Sequence, residues 1–313
     1  MSGTSFTKKR IDVEFTMPNG KTVLIQNHRV SCQVSNAGLD TGAICNLQIE
    51  GMLLSDMNLL SQIQPTIVQQ NLNSVVVKAG VENGALNTVF QGPVVDAFVD
   101  FSGAPNVAFQ VMASSMAATA ANNITPTSYP NGTAVADIMQ AIAQKCGINF
   151  INNGVKIRTS GAVYLSGSGA QQIAMLSAAS NVPYILALNT LMIWPADLGK
   201  ITQADNTISA QNGMIGYPEY SQYGVTITAL FNHSIGFYSS IKLDSQYAPA
   251  AWTNFDGQIK RLSPQAVMPP YNGIWIVTNV YHDIASQTPN ANWQTVITAA
   301  RPQFAGDVAT YAQ

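Results

Sequence analysis

The chain has 313 residues and a mass of 33.4 kDa, enough for two or three domains with a sizeable core. Charged residues make up only 10%, against roughly 25% in an ordinary soluble domain, and Lys+Arg 14 against Asp+Glu 16 leave a formal net charge of -2. This balance argues against tight duplex nucleic-acid binding, which needs several clustered cations to release counterions. The polar surface has to come from amides and hydroxyls instead, since roughly one residue in six is Asn or Gln. A surface so poor in charge associates readily, because little like-charge repulsion or side-chain desolvation opposes contact.

Three cysteines, Cys32, Cys45 and Cys146, are odd in number and form no C-x-x-C pair, which argues against a disulfide framework and for a reducing compartment. Residues after Met1 are polar and Lys8-Lys9-Arg10 precedes an alternating strand, so no signal peptide is expected. The most apolar stretch, Val182 to Trp194, is interrupted by Pro183, Asn189 and Thr190 and is too short to span a bilayer, so no stable membrane insertion is expected. Sequons at Asn123, Asn131 and Asn232 are read as chance matches in an Asn-rich chain.

Asn-Gly pairs punctuate the chain at Asn19, Asn83, Asn131, Asn153, Asn212 and Asn272, and Asn-Gly favours hairpin turns because both residues tolerate positive φ. The first predicts a hairpin between Ile11–Phe15 and Thr22–Ile25. Strands follow at Arg29–Val34 and Cys45–Ile49, then a helix over Ser55–Ile63 with Ser55 as N-cap and Pro65 as stop. Further strands are predicted at Ser74–Gly80, Thr88–Phe101 and Val107–Met112. The long one should bend at Gly92-Pro93, where proline cannot donate to a central ladder. Together these strands suffice for a small barrel or sandwich.

Residues between Ser114 and Asn131 are small and polar and read as a linker. A helix capped by Thr133 runs to Lys145 with Gly147 as its C′ residue, and Val135, Ile138, Met139 and Ile142 recur at helical spacing. Strands at Ile148–Ile151 and Val155–Arg158 flank Asn153-Gly154. A second helix over Ala170–Ala179 and a hairpin of Pro183–Leu188 with Leu191–Trp194 complete a helix-strand-strand unit stated twice.

In the last third, Val225, Ile227, Ala229 and Phe231 share a strand face. So should Trp275, Val277, Asn279 and Tyr281, and so should Trp293, Thr295, Ile297 and Ala299, with another strand at Ser239–Leu243. The insertion from Tyr247 to Tyr271 holds four prolines and is too long for a hairpin, so it reads as a functional loop or a partner-contact excursion.

No residue set carries chemistry. His282-Asp283 are adjacent on a strand and point to opposite faces, which a catalytic pair cannot do, and His28 and His233 lack metal-ligand spacing. The same-face pairs Asp12/Glu14 and Asp96/Asp100 could position two carboxylates, but a solvated strand face is the plainer reading. Gly167-Ser168-Gly169 fails the full dinucleotide pattern at Gln172 and is read as a helix entrance. Hence no catalytic residue, cofactor or metal is expected. The aromatics Tyr247, Trp252 and Phe255 of the insertion, with Tyr217 and Tyr220 before the last strands, are the candidate partner contacts, because such rings bring large area at low entropy cost.

The order Gly216-Tyr217-Pro218, Gly224-Val225 through Leu230-Phe231-Asn232, Asn272-Gly273-Ile274-Trp275, Val280-Tyr281-His282, then Trp293 with Thr295 resembles the baseplate hub proteins of contractile-tailed phages, the class of Mu-like and P2-like tail hubs. The helices bearing Thr133–Met139 and Gln171–Leu176 resemble the paired helices such proteins carry between two barrels. Asn232-His233-Ser234 and Phe237-Tyr238 depart from the family's usual Asn-Pro and glycine. The resemblance implies a mainly β protein with a small α+β part, two tail-tube-like barrels or sandwiches with the α+β domain between them. The corresponding boundaries are an N-terminal barrel over residues 1–113, a linker over 114–131, the α+β domain over 132–212, a C-terminal barrel over 213–301 with insertion 247–271, and a tail over 302–313.

It further implies a non-enzymatic homotrimeric ring that adapts a sixfold tail tube to a threefold central spike and lets DNA pass without specific binding. Its partners would be the spike, tube or tube-initiator proteins and the tape measure protein, in the virion's tail baseplate after assembly in the host cytoplasm. A carbohydrate-binding or cell-wall-hydrolysing module is the alternative, and a tube or type VI secretion spike component with one barrel fewer is a third.

Overall fold

The computed structural model describes residues 7–62, 72–196, 203–221, 224–246, 272–302 and 305. In chain order the first elements are β1 Lys9–Thr16, β2 Thr22–Ile25, β3 Arg29–Gly38, β4 Gly42–Glu50, α1 Leu54–Leu60, β5 Ser74–Val81, β6 Leu86–Asp100 and β7 Ala108–Ser114. The middle comprises α2 Ala117–Ala121, β8 Thr127–Tyr129, α3 Val135–Cys146, β9 Asn149–Asn152, β10 Val163–Leu165, α4 Gly169–Ser180, β11 Tyr184–Ala187 and β12 Thr190–Ile193. The last elements are β13 Asn206–Ser209, β14 Met214–Ser221, β15 Gly224–Leu230, β16 Ser240–Asp244, β17 Gly273–Ser286 and β18 Trp293–Ala300.

The first hairpin forms as expected, but its turn is built differently. Gly20 N donates to Met17 O across Pro18-Asn19, only Gly20 takes positive φ, and Asn19 instead accepts the Lys21 amide at 2.9 Å. Proline presets the first turn position and the Asn side chain closes the loop, so a five-residue connection replaces the two-residue turn. The hairpin with positive φ at both turn positions lies at Leu188-Asn189, between β11 and β12.

Strands from the two ends of the chain belong to one 13-stranded sheet, with the path β14-β15-β18-β17-β3-β4-β7-β6-β5-β1-β2. Two irregularities shape it. β6 pairs with β5 up to Pro93 and with β7 from Val94 on, so the strand changes partner at the expected Gly92-Pro93 bend. In β17 the register to β18 slips between Val277 and Asn279, and this bulge reverses the side-chain alternation. Trp275 and Val277 point into the core before it, Val280, His282 and Ile284 after it. Asn279 and Tyr281, expected on the Trp275 face, therefore lie on the opposite one.

Several local expectations are corrected. α1 starts at Leu54 after Leu53, with no side-chain cap from Ser55, and Pro65 lies outside the described residues. Ala134, not Thr133, is the N-cap of α3, and Thr133 Oγ1 donates to Pro130 O instead. The supposed linker contains α2 and β8, the latter paired with β10. Val155–Arg158 forms no strand beyond a single bridge from Arg158 to Ala134. β9 pairs in parallel with β12, so one three-stranded sheet, β11-β12-β9, replaces the expected repeat.

Three main apolar clusters fill the molecule. The first joins Phe15, Phe90 and Phe109 with Ile284 of β17, the second unites α3, α4 and β11-β12, and the third gathers Val225, Ile227, Trp275 and Ile297. Ser115 links the first two regions, since its Oγ accepts the Ala43 amide at 2.9 Å and donates to Leu186 O.

Gly224 opens β15 at φ +150, and a Cβ there would meet Ala299 O at 2.1 Å. The β15–β18 ladder, which pairs Val225 with Ala299, cannot yield that space without parting. Gly224→Ala is expected to cost about 3 kcal/mol, measured by denaturant unfolding against the parent chain.

Candidate functional site

On the outward face of the long sheet the ladders bring an array of polar side chains together. Alternation on β3 and β4 turns Val34, Cys32, Cys45 and Leu47 inward and leaves Ser31, Gln33, Asn46 and Gln48 outward. Register then aligns them: Gln33 faces Asn46, Asn46 faces Met112, and Met112 faces Asp96. One rung on, Ser31, Gln48, Gln110 and Phe98 stand in line. These two rungs line a groove of about 480 Å³.

The two carboxylate pairs separate into different roles. Asp12 is buried rather than solvated, held by Arg10 Nε and Nη2 at 2.7 Å each and by Gln26 Nε2 at 2.7 Å, while Glu14 lies 3.8 Å from Lys78. Asp12 raises the Arg10 pKa through these hydrogen bonds and its charge. Asp96 and Asp100 do face the groove. The side chain of Ser102, then its amide, hold the Asp100 carboxyl below the usual range.

His282 and Asp283 part company as alternation predicts. His282 is buried, with Nδ1 2.9 Å from Thr295 Oγ1 and its ring edge-to-face with Phe231 at 5.3 Å. Asp283 Oδ2 accepts from Asn292 Nδ2 at 2.6 Å on the other face. Burial, then the nearby His233, lowers the His282 pKa to about 4. His28 Nδ1 sits 2.7 Å from Gln26 O. Gly167-Ser168-Gly169 is a helix entrance: Ser168 Oγ accepts the Gln171 amide and Gln171 Oε1 accepts the Ser168 amide, a reciprocal cap on α4.

Among the expected contact aromatics, Tyr217 lies exposed in the bulged part of β14. Tyr220 is half-buried with its ring 6.3 Å from Trp275, so it also serves the third cluster. Tyr247, Trp252 and Phe255 lie outside the described residues. Trp275 also carries the Arg301 guanidinium 3.8 Å above its ring. Cys32 and Cys45 are free and buried with sulfurs 3.9 Å apart, and burial raises the Cys45 pKa well above normal. The groove was missed in the sequence because its rungs come from four strands whose order follows only from pairing.

No three metal-ligating side chains cluster among the described residues, and no helix there is long and apolar enough to cross a membrane. The fold is similar to a 43 kDa prophage MuSo2 tail protein from Shewanella oneidensis, at TM-score 0.55 and 11% identity over 96% of this chain and 98% of that one. It is similar to a tail protein from Neisseria meningitidis MC58 at TM-score 0.58 and 9% identity, covering 95% and 99%. A type VI secretion component from E. coli, itself described as similar to the T4 tail proteins gp27 and gp5, shares the fold at TM-score 0.54 and 14% identity over 87% and 73%. No curated protein sequence matches the chain. The family model for baseplate hub gp41 matches residues 10–259, and the chain belongs to this family of structural phage baseplate proteins.

A buried neutral histidine ties stability to pH. With a folded pKa of about 4 against 6.5, the unfolded chain binds the extra proton first, so the stabilisation present above pH 6.5 is lost as pH falls toward 4. From this group alone, unfolding free energy at pH 5 should be about 2 kcal/mol lower than at pH 8. In His282→Gln that part of the pH slope should vanish, as read by denaturant titrations at both pH values.

Proposed function

We propose that the chain is a ring subunit of a phage baseplate hub, three copies closing around the tail axis to adapt a sixfold tube to a threefold spike. The observation that carries this reading is the β17–β3 ladder, which runs seven rungs from Val280↔Asn36 to Ser286↔Val30 and welds the two strand sets into one sheet. Two welded tube-like halves per subunit make six across a trimer, which is what a sixfold-to-threefold adapter needs. The division into an N-terminal barrel over residues 1–113, a segment over 114–131, an α+β domain over 132–212, a C-terminal barrel over 213–301 and a tail is part of the proposal, and the three apolar clusters support it.

The function is mechanical and non-catalytic in this reading. The spike protein binds below, tube or tube-initiator proteins assemble above, and the tape measure protein meets the ring during assembly in the host cytoplasm. Tyr217, Tyr220 and the insertion's Tyr247, Trp252 and Phe255 are the proposed contacts. DNA crosses a channel whose sparsely charged wall retains few phosphates.

Native mass measurement of the purified chain, alone and mixed with the tail proteins encoded beside it, checks the proposal. Trimer mass, or a trimer formed on adding the spike protein, is expected. A strict monomer that ignores every tail protein and cleaves peptidoglycan would sink it.

A further inference from the structure

The groove on the outer sheet face is lined by two aspartates and by no lysine or arginine. Along β6 the outward positions are Asp96, Phe98 and Asp100. Glu50 on the same face is answered by Arg29 at 3.1 Å, but no cation pairs with the two aspartates among the described residues.

Two further observations show that the face is more than a solvated strand surface. Phe98 and Met112 stay 46% and 43% exposed beside the aspartates, which leaves apolar area on the rungs that line the groove. Asp96 follows the register slip after Val94, and its Oδ1 is buried without a hydrogen-bond partner among the described residues. A carboxylate oxygen stripped of water and left unpaired bears its full desolvation penalty until a donor arrives. The neighbouring amides of Asn46, Gln48 and Gln110 can orient a planar cation but bring no positive charge. Phosphate is disfavoured by the like charges.

We propose that this groove docks a protein segment presenting an arginine or lysine between apolar side chains, the cation at Asp96 and its neighbours on Phe98 and Met112. Arginine fits best, because its fork binds a carboxylate with two parallel hydrogen bonds. Only the identity of the partner as a tail protein rests on the hub reading.

The test uses the full chain with ¹³C-methyl methionine, in which Met112 reports on the groove directly. Acetyl-Leu-Arg-Leu-amide is titrated beside the same peptide with citrulline in place of arginine, and beside a short DNA duplex. The arginine peptide should shift Met112 saturably and bind roughly tenfold more tightly than the citrulline peptide, the ratio set by one charge-assisted hydrogen bond. Asp96→Asn should erase that ratio while the other methionine signals stay in place, and Phe98→Ser should weaken both peptides. If Asp96→Asn fails to fold, Asp100→Asn, at the groove's other carboxylate, should reduce the ratio more modestly. Equal affinity for both peptides, no saturable shift, or a shift driven by DNA would overturn the proposal. A flat titration with a trimeric mass overturns the groove alone, whereas a positive titration with a strict monomer overturns the hub reading alone.

Discussion

The ladder between β17 and β3 is the contact on which the rest of the molecule depends. It joins residues about 250 positions apart in sequence, and closing so long a loop costs chain entropy that only a broad pairing with buried side chains can offset. Ile284 and His282 supply the inward side of that pairing, the first inside the N-terminal apolar cluster and the second against Thr295 and Phe231. Full burial of an isoleucine contributes about 1.5–3 kcal/mol, and the aromatic contacts around Phe231 and Trp293 add to it.

The bulge at Thr278 is what lets one strand serve two clusters. Before it, Trp275 and Val277 fill the C-terminal core; after it, Val280 still fills that core while Ile284 reaches the N-terminal one. Without the slip the parity of the strand would stay constant, and Tyr281 and Asp283 would turn inward in place of His282 and Ile284. The same slip puts Asp283 on the outer face beside Gln33. Junction and groove thus share β3, which pairs with β17 while its outward side chains line the groove.

Much of this was legible from residue order. Alternation located the strands of both ends, Gly92-Pro93 marked the partner change in β6, and helical spacing at Val135, Ile138, Met139 and Ile142 found the buried side of α3. What alternation could not show is where it breaks. Nothing in Val277-Thr278-Asn279 announces a bulge, because bulge position depends on the register to a neighbouring strand. The parallel β9–β12 pair was hidden for a related reason: Asn153-Gly154 looks like a hairpin turn, but Asn152 Oδ1 takes the amides of Gly154 and Val155 and turns the chain away. Asp96 and Asp100 were visible as a same-face pair, yet their groove exists only once β6, β7, β4 and β3 lie side by side.

In the proposed reading the chain is a ring part between tube and spike that has to keep its shape, and the β17–β3 ladder ties its two strand sets together. Electron cryomicroscopy of the assembled tail baseplate tests this most directly. Three copies should surround the axis next to the spike, each contributing both strand sets to the ring with β17 and β3 still paired. A single or peripheral copy, or a ring in which the two halves of one chain have separated, would contradict it.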